Sequence, residues 1–219
     1  MKPRFEGRTR RWARVVCTGL ALMAPLAPVW AVEYVWLAPA ASGGGAVARL
    51  GELEGPVETA ASLSELKARV GSREAVARLE GEAVGVAGPA DGADAAADVR
   101  LSGRRVLPEG ALVYYQARLG RQDTRAVNDL ELVPLAPGGN TFKLMWKGTA
   151  VSASQVMVQT SDGWRRVLKP AQDGTVSLAT PFKGLYVLEV TARVNGSATV
   201  EGKKYEDVRH SATLSFVVE

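Results

Sequence analysis

The chain has 219 residues, of which 27 are Lys or Arg, 23 are Asp or Glu and one is His, giving a formal net charge of +4. The first 31 residues hold six of the basic side chains and one acidic one, so the remainder carries 21 basic against 22 acidic residues. That balance leaves no excess of positive charge to build a nucleic-acid-binding face.

Lys2, Arg4, Arg8, Arg10, Arg11 and Arg14 form a basic head, and Val15 to Pro28 an apolar stretch. Val29-Trp30-Ala31 then puts small or apolar residues at the −3 and −1 positions of a cleavage point. This layout predicts a secretory signal peptide over 1–31 and a periplasmic mature chain. Pro25 and Pro28 break the apolar run, which is too short for a good membrane span, so the mature chain is expected not to span a membrane. Thr9-Arg10-Arg11 resembles a twin-arginine signal, whereas Ala13 and Arg14 stand where that route favours apolar residues, and both export routes stay open. Cys17 follows Val16 rather than a small residue, which argues against a lipid anchor. As the only cysteine, it leaves with the signal and rules out an intramolecular disulfide in the mature chain.

Residues 32–125 read as a smaller, irregular β-rich domain. Strands are expected at Tyr34 to Leu37, Val47 to Leu50, Val76 to Leu79, Val84 to Val86, Val99 to Leu101 and Leu112 to Leu119. Gly43-Gly44-Gly45 reads as a turn. Ser62-Leu63-Ser64-Glu65 has the form of a capping box and predicts a short helix through Val70, stopped by Gly71. The Ala/Gly-rich stretch 83–98 has almost no large apolar side chains and reads as a loop.

Residues 126–219 carry a clearer code. Phe142, Leu144 and Trp146 alternate with polar or flexible neighbours, as do Val156 and Val158 before the hairpin signal Asp162-Gly163. Trp164 to Leu168 returns, and Asp173-Gly174 turns into Val176 and Leu178. Tyr186, Leu188, Val190, Ala192 and Val194 mark one face of a long strand, and Ala212, Leu214, Phe216 and Val218 one face of the last. With Leu130 to Pro134, about seven short strands predict an immunoglobulin-like β-sandwich, in which Trp164 and Tyr186 belong to the core and Tyr186 suits a tyrosine corner. Adjacent Tyr114 and Tyr115 must face opposite sides of one strand, which puts one of them on a surface or an interface.

Motifs for catalysis are missing. The sequence holds no Gly-x-Ser-x-Gly, no His-Glu-x-x-His and no phosphate loop, and a Cys–His pair is impossible after signal cleavage. The expectation is a non-catalytic protein. His210 precedes or opens the final strand with the parity of its core residues, so its expected role is to fix the strand by bonding a backbone carbonyl.

Glu33-Tyr34-Val35-Trp36-Leu37-Ala38-Pro39 resembles the "His-Glu-x-Trp-Leu-x-Pro" opening of a family of secreted bacterial proteins of unknown function. The likeness continues in Leu130-Glu131-Leu132-Val133-Pro134, Thr141-Phe142-Lys143-Leu144, Gly163-Trp164, Gly184-Leu185-Tyr186 and His210-Ser211-Ala212-Thr213-Leu214. Such proteins are commonly described as periplasmic components of cobalt or nickel uptake systems linked to outer-membrane receptors. The resemblance therefore implies a periplasmic binding or accessory protein with an immunoglobulin-like or carboxypeptidase-regulatory-like C-terminal domain. It implies nickel or cobalt as cofactor and an outer-membrane receptor or transporter component as partner. Family members often carry a His at or next to the mature N-terminus, where this chain has Val32. A metal site would have to use His210 and Glu33, helped by Glu206, Asp207 or the amine of Val32, a set short of the nitrogen ligands these ions favour. Two other readings need no metal: a structural or protein-interaction module of the cell envelope, and a carbohydrate-binding module using Trp36 and Tyr115.

Overall fold

Period-two alternation of apolar side chains runs through most of the chain, and it produces strands. The computed structural model describes residues 33–41, 45–88 and 96–219. The expected signal peptide and the middle of the Ala/Gly-rich stretch lie outside the described residues. In chain order the strands are β1 (Tyr34–Pro39), β2 (Ala46–Gly51), β3 (Val57–Glu58), β4 (Ser64–Val70), β5 (Arg73–Ala75), β6 (Ala77–Glu80) and β7 (Ala83–Val86). They continue as β8 (Val99–Val106), β9 (Leu112–Leu119), β10 (Leu130–Pro134), β11 (Thr141–Trp146), β12 (Thr149–Val151), β13 (Val156–Thr160) and β14 (Arg165–Leu168). The last are β15 (Thr175–Ser177), β16 (Gly184–Val194), β17 (Ala198–Val200), β18 (Lys203–Tyr205) and β19 (Val208–Val218). The protein is all-β, and among the described residues no helix is long and apolar enough to cross a membrane.

Two expectations are corrected. The helix through Val70 is absent: Ala60–Ser62 forms one 3₁₀ turn capped by the Thr59 side chain, and Ser64–Val70 is strand β4. Leu63, Leu66 and Val70 fit a helical spacing, but Leu66, Ala68 and Val70 equally fit a strand, and pairing of β4 with β8 decides between them. At the start of the stretch 83–98 the strand expected at Val84 to Val86 prevails over the loop reading. Ala83–Val86 is strand β7, with Val84 and Val86 buried, because alternate valines are enough to line one face of a sheet.

An eight-stranded sheet in the order β14-β13-β16-β19-β9-β8-β4-β5 forms the centre. Its spine is β19, paired antiparallel with β16 from Val194↔Val208 to Gly184↔Val218 and parallel with β9 from Leu112↔Val208 to Leu119↔Ser215. Strands from both halves of the chain therefore share one hydrogen-bonded sheet. Successive side chains on a strand point to opposite faces, so β19 offers His210, Ala212, Leu214 and Phe216 to one face and Ser211, Thr213 and Ser215 to the other. Smaller sheets cover both.

One cover is the sheet β1-β2-β7-β6, with β3 added on β2. Val35, Leu37, Leu50, Val84 and Val86 from it pack against Leu101, Val113, Tyr115 and Ala117 of the central sheet. The hydroxyl stripe of β19 lies on this same face, and Thr213 Oγ1 donates to the Val35 carbonyl at 2.6 Å. The other cover consists of β10, β11, β12 and β15. Its Leu132, Phe142, Leu144 and Val176 form the second core with Val158, Tyr186, Leu188, Leu214 and Phe216. In that core Tyr186 and Phe216 stack 5.5 Å apart at 2°, and the Tyr186 hydroxyl donates to the Phe182 carbonyl and accepts from the Phe182 amide, both at 3.0 Å. The second cover lies over the β13-β16-β19 end. No described strand of it pairs with β4 or β8; β10 reaches β8 through Glu131, and a cleft opens beyond that contact.

Candidate functional site

The edge of that cleft is set by a buried ion network. Arg100 on β8 and Arg118 on β9 point to the face shared with the second core, and both are almost fully buried. Glu131 on β10 accepts from Arg100 Nε at 2.8 Å and Arg118 Nη1 at 3.0 Å through Oε1. Its Oε2 accepts from the amides of Val127 and Asn128 at 2.7 and 2.8 Å. Asp98, also buried, pairs with Arg118 Nη2 at 2.5 Å and receives the amides of Gln122 and Asp123. The segment between β9 and β10 is thereby pinned to the central sheet by charge-assisted bonds. Gly120 permits the tight exit from β9, since its φ is +103° and a Cβ there would collide with the Asp98 carboxylate.

Pinning places Val127, Asn128 and Asp129 as a wall over the uncovered strands. The cleft of about 320 Å³ that results is floored by Lys67, Ser102, Arg104, Tyr114 and Gln116. Strand registers explain the grouping. Lys67 lies opposite Ser102, and Ser102 opposite Gln116; Arg104 lies opposite Tyr114, and Tyr114 opposite His210. Arg104 is committed to Glu65 at 2.9 Å and Glu201 at 2.7 Å.

Several polar groups line the cleft with hydrogen-bonding capacity to spare. Lys67 and Asp129 are exposed to solvent and form no ion pair with a described residue. Gln116 is 7 % exposed and accepts from the Leu130 amide through Oε1 at 3.1 Å, while its Nε2 donates to no described group. Asn128 Nδ2 is buried without a partner. Buried polar atoms are nearly always satisfied in folded proteins.

Behind the cleft lies His210, 5 % exposed. Its ring stacks on Tyr114 at 4.8 Å and meets the Trp146 ring edge-on at 4.7 Å. Burial pushes its pKa down to about 4, with Lys147 adding to the shift and Asp129 opposing it. Nδ1 has no hydrogen-bond partner, so the backbone-carbonyl bond expected of this histidine is not made from that nitrogen. Burial and ring packing, rather than a hydrogen bond, hold it. On the far side of Trp146 a larger cleft of about 410 Å³ has a mostly apolar lining that includes Val151, Ala153, Val190 and Ala192.

Glu33 sits elsewhere. Its carboxylate pairs with Arg105 Nη1 at 2.8 Å, and Arg105 also holds Glu58 at 2.7 Å. Arg105 lies opposite Val113 and shares the face of Tyr115, whereas His210 shares the face of Tyr114. Glu33 and His210 thus occupy opposite faces of the central sheet and are not brought together. Burial, reinforced by the neighbouring Glu58, raises Glu33 to about 7. Asp207 is engaged by Arg193 and Arg209, and Glu206 by Lys204. Among the described residues no group of three or more His, Cys, Asp or Glu side chains is arranged to hold a metal ion. One sealed imidazole without a cluster of further donors among the described residues does not fit nickel or cobalt, which take several nitrogen or oxygen donors.

Of the two tyrosines, Tyr115 is buried in the first core and Tyr114 opens onto the cleft. Trp36 is 5 % exposed and packs with Tyr34 and Val187, so neither Trp36 nor Tyr115 offers a surface platform for a sugar. Lys67, Gln116, Asn128 and Asp129 escaped sequence reasoning because they come from three separated segments. The pairing of β4 with β8 and of β8 with β9, together with the wall pinned by Glu131, unites them. No protein-family model matches the chain, and no curated protein matches it.

Proposed function

We propose that this chain is a non-catalytic binding protein of the bacterial cell envelope, exported by its first 31 residues. The observation that carries the binding reading is the convergence of uncommitted polar side chains in the cleft floored by β4, β8 and β9. Ligand sites combine a concavity of several hundred Å³ with a few placed polar groups, and this cleft has both. The chain's one histidine is sealed between two aromatic rings, which denies it to a hydroxyl nucleophile and favours binding over catalysis. The immunoglobulin-like assignment of residues 126–219 is supported by the Tyr186 hydroxyl bonding back to Phe182, the geometry of a tyrosine corner.

Metal uptake is implied by the resemblance alone; the donor set described above gives it no support as a resident ion. Under that reading the chain acts as an accessory that docks a receptor or transporter component. A second reading, a protein-interaction module, is favoured by one observation. Edge strand β6 carries Leu79, 51 % exposed, and follows Val76, 54 % exposed, so its free edge offers both backbone groups and apolar contacts to an added strand.

The test is to express the full chain, fractionate the cells and examine the recovered protein by native mass spectrometry with pooled periplasmic metabolites. The expected result is a periplasmic species with the mass of residues 32–219 and a saturable small-molecule adduct. Uncleaved protein in the cytoplasm, or a chain that takes up nothing, overturns the proposal.

A further inference from the structure

We propose that the cleft floored by β4, β8 and β9 binds a small zwitterion of the α-amino-acid type, an inference that rests on the binding reading above. Charge pairing within the cleft is almost complete, and what it leaves over is specific. Arg104 is paired with both Glu65 and Glu201, a group that keeps one negative charge in excess. The remaining charges are one cation, Lys67, and one anion, Asp129, lining the same 320 Å³ space from opposite sides, floor and wall.

The neutral groups lean one way. Gln116 has its carbonyl oxygen committed to the Leu130 amide, which orients the side chain and leaves Nε2 to donate. Asn128 Nδ2 is also without a partner, but it is sealed from solvent and meets a ligand only if the side chain turns. Gln116 Nε2 and the Lys67 ammonium line the same cleft and are the donors for a carboxylate, in bonds that the charges assist. Asp129 supplies the acceptor for an ammonium. Lys67 and Asp129 are both exposed, so water solvates either one when it is unpaired; a zwitterion engages both, whereas a ligand with one charge engages one of them. The wall that carries Asn128 and Asp129 is held in place by Glu131, which receives the amides of Val127 and Asn128. The two halves of the site are therefore positioned before a ligand arrives.

Tyr114 closes the inner end of the cleft with its ring laid on His210. That end combines the tyrosine ring with Arg104, which lies opposite it and is already paired with Glu65 and Glu201.

Calorimetric titration of the protein recovered from the full chain tests this, using the common L-α-amino acids as a pool, then singly. Any that bind are compared with their N-acetyl and carboxamide derivatives, each lacking one charge. The expected result is saturable heat from at least one amino acid, weakened tenfold or more by either derivative. Lys67→Met and Asp129→Asn should each weaken it tenfold or more, while Lys203→Met, on the hairpin of β17 and β18, changes nothing. The derivative comparison needs no variant, so it decides the matter even where a substitution unfolds the protein. Equal binding of the derivatives, wild-type affinity in both variants, or silence from the whole pool overturns the inference. Silence here together with a metabolite adduct in the mass spectrum removes the zwitterion and keeps the binding protein; silence in both removes both.

Discussion

Tyr114 and His210 face each other across the parallel pair of β9 and β19, with their rings stacked 4.8 Å apart and 21° from coplanar. The contact joins a strand from each half of the chain. It also fixes the protonation of the histidine, because a ring sealed between Tyr114 and Trp146 resists taking a charge.

The pH dependence of stability follows from that burial. His210 has its pKa lowered from 6.5 to about 4, so the unfolded chain takes up the proton first as pH falls. Stability is intact above pH 6.5, declines between 6.5 and 4, and is flat with respect to this group below 4. The shift corresponds to about 3 kcal/mol. His210→Phe keeps an aromatic ring in the stack and removes the titration. Urea unfolding of both proteins at several pH values should show the stability of the variant minus that of wild type rising as pH drops through this window. A constant difference would show that His210 is not sealed.

Glu33 acts in the opposite direction. Its raised pKa means that the folded state holds the proton between 4.5 and about 7, so its contribution is full below 4.5 and lost as pH rises through 7. Glu33→Gln mimics the protonated form while leaving Arg105 bound to Glu58. The variant should lose less stability than wild type between pH 5 and 8, read from melting temperatures in the two buffers. Parallel losses would mean that burial beside Glu58 does not hold Glu33 protonated.

Phe216 sits between Tyr186 and Phe142, 3 % exposed, with the Arg121 guanidinium 4.0 Å above its ring. Phe216→Ala removes a large core side chain and should cost about 3–5 kcal/mol. Denaturant unfolding checks this; an unchanged midpoint would place the residue outside the core.

Glu131 is the shared acceptor of Arg100, Arg118 and two backbone amides. Glu131→Ala leaves two buried guanidinium groups under-paired and should cost about 3–5 kcal/mol. It should also loosen the cleft wall, seen as faster amide hydrogen exchange at Val127 and Asn128 while β16 stays protected. Uniform loss of protection would mean that the network supports the whole fold rather than the wall.

Local alternation made the strands of the second half legible in the sequence. Phe142, Leu144, Val156, Val158, Leu214 and Phe216 all lie in the core that their parity predicts. Parity also foretold that Tyr114 and Tyr115 part company. What local pattern does not carry is partner choice. The fit of Ser64–Val70 to both helix and strand was settled by β8, and the parallel pairing of β9 with β19 links residues almost a hundred positions apart. The Arg100–Glu131–Arg118 network was hidden for the same reason, since charged residues on strands read as solvent-facing until a third strand covers them. The cleft follows from that network and was equally out of reach.

The proposed binding chemistry lies in the cleft of Lys67 and Asp129 and not at a metal centre on His210. Two-dimensional amide NMR of the labelled protein, with the amino-acid pool and with nickel chloride added separately, tests it most directly. The account predicts shift changes centred on Lys67, Gln116, Asn128 and Asp129 with the pool, and no paramagnetic broadening with nickel that depends on His210. Broadening centred on His210 and abolished by His210→Ala, with the cleft amides unmoved by the pool, would contradict it.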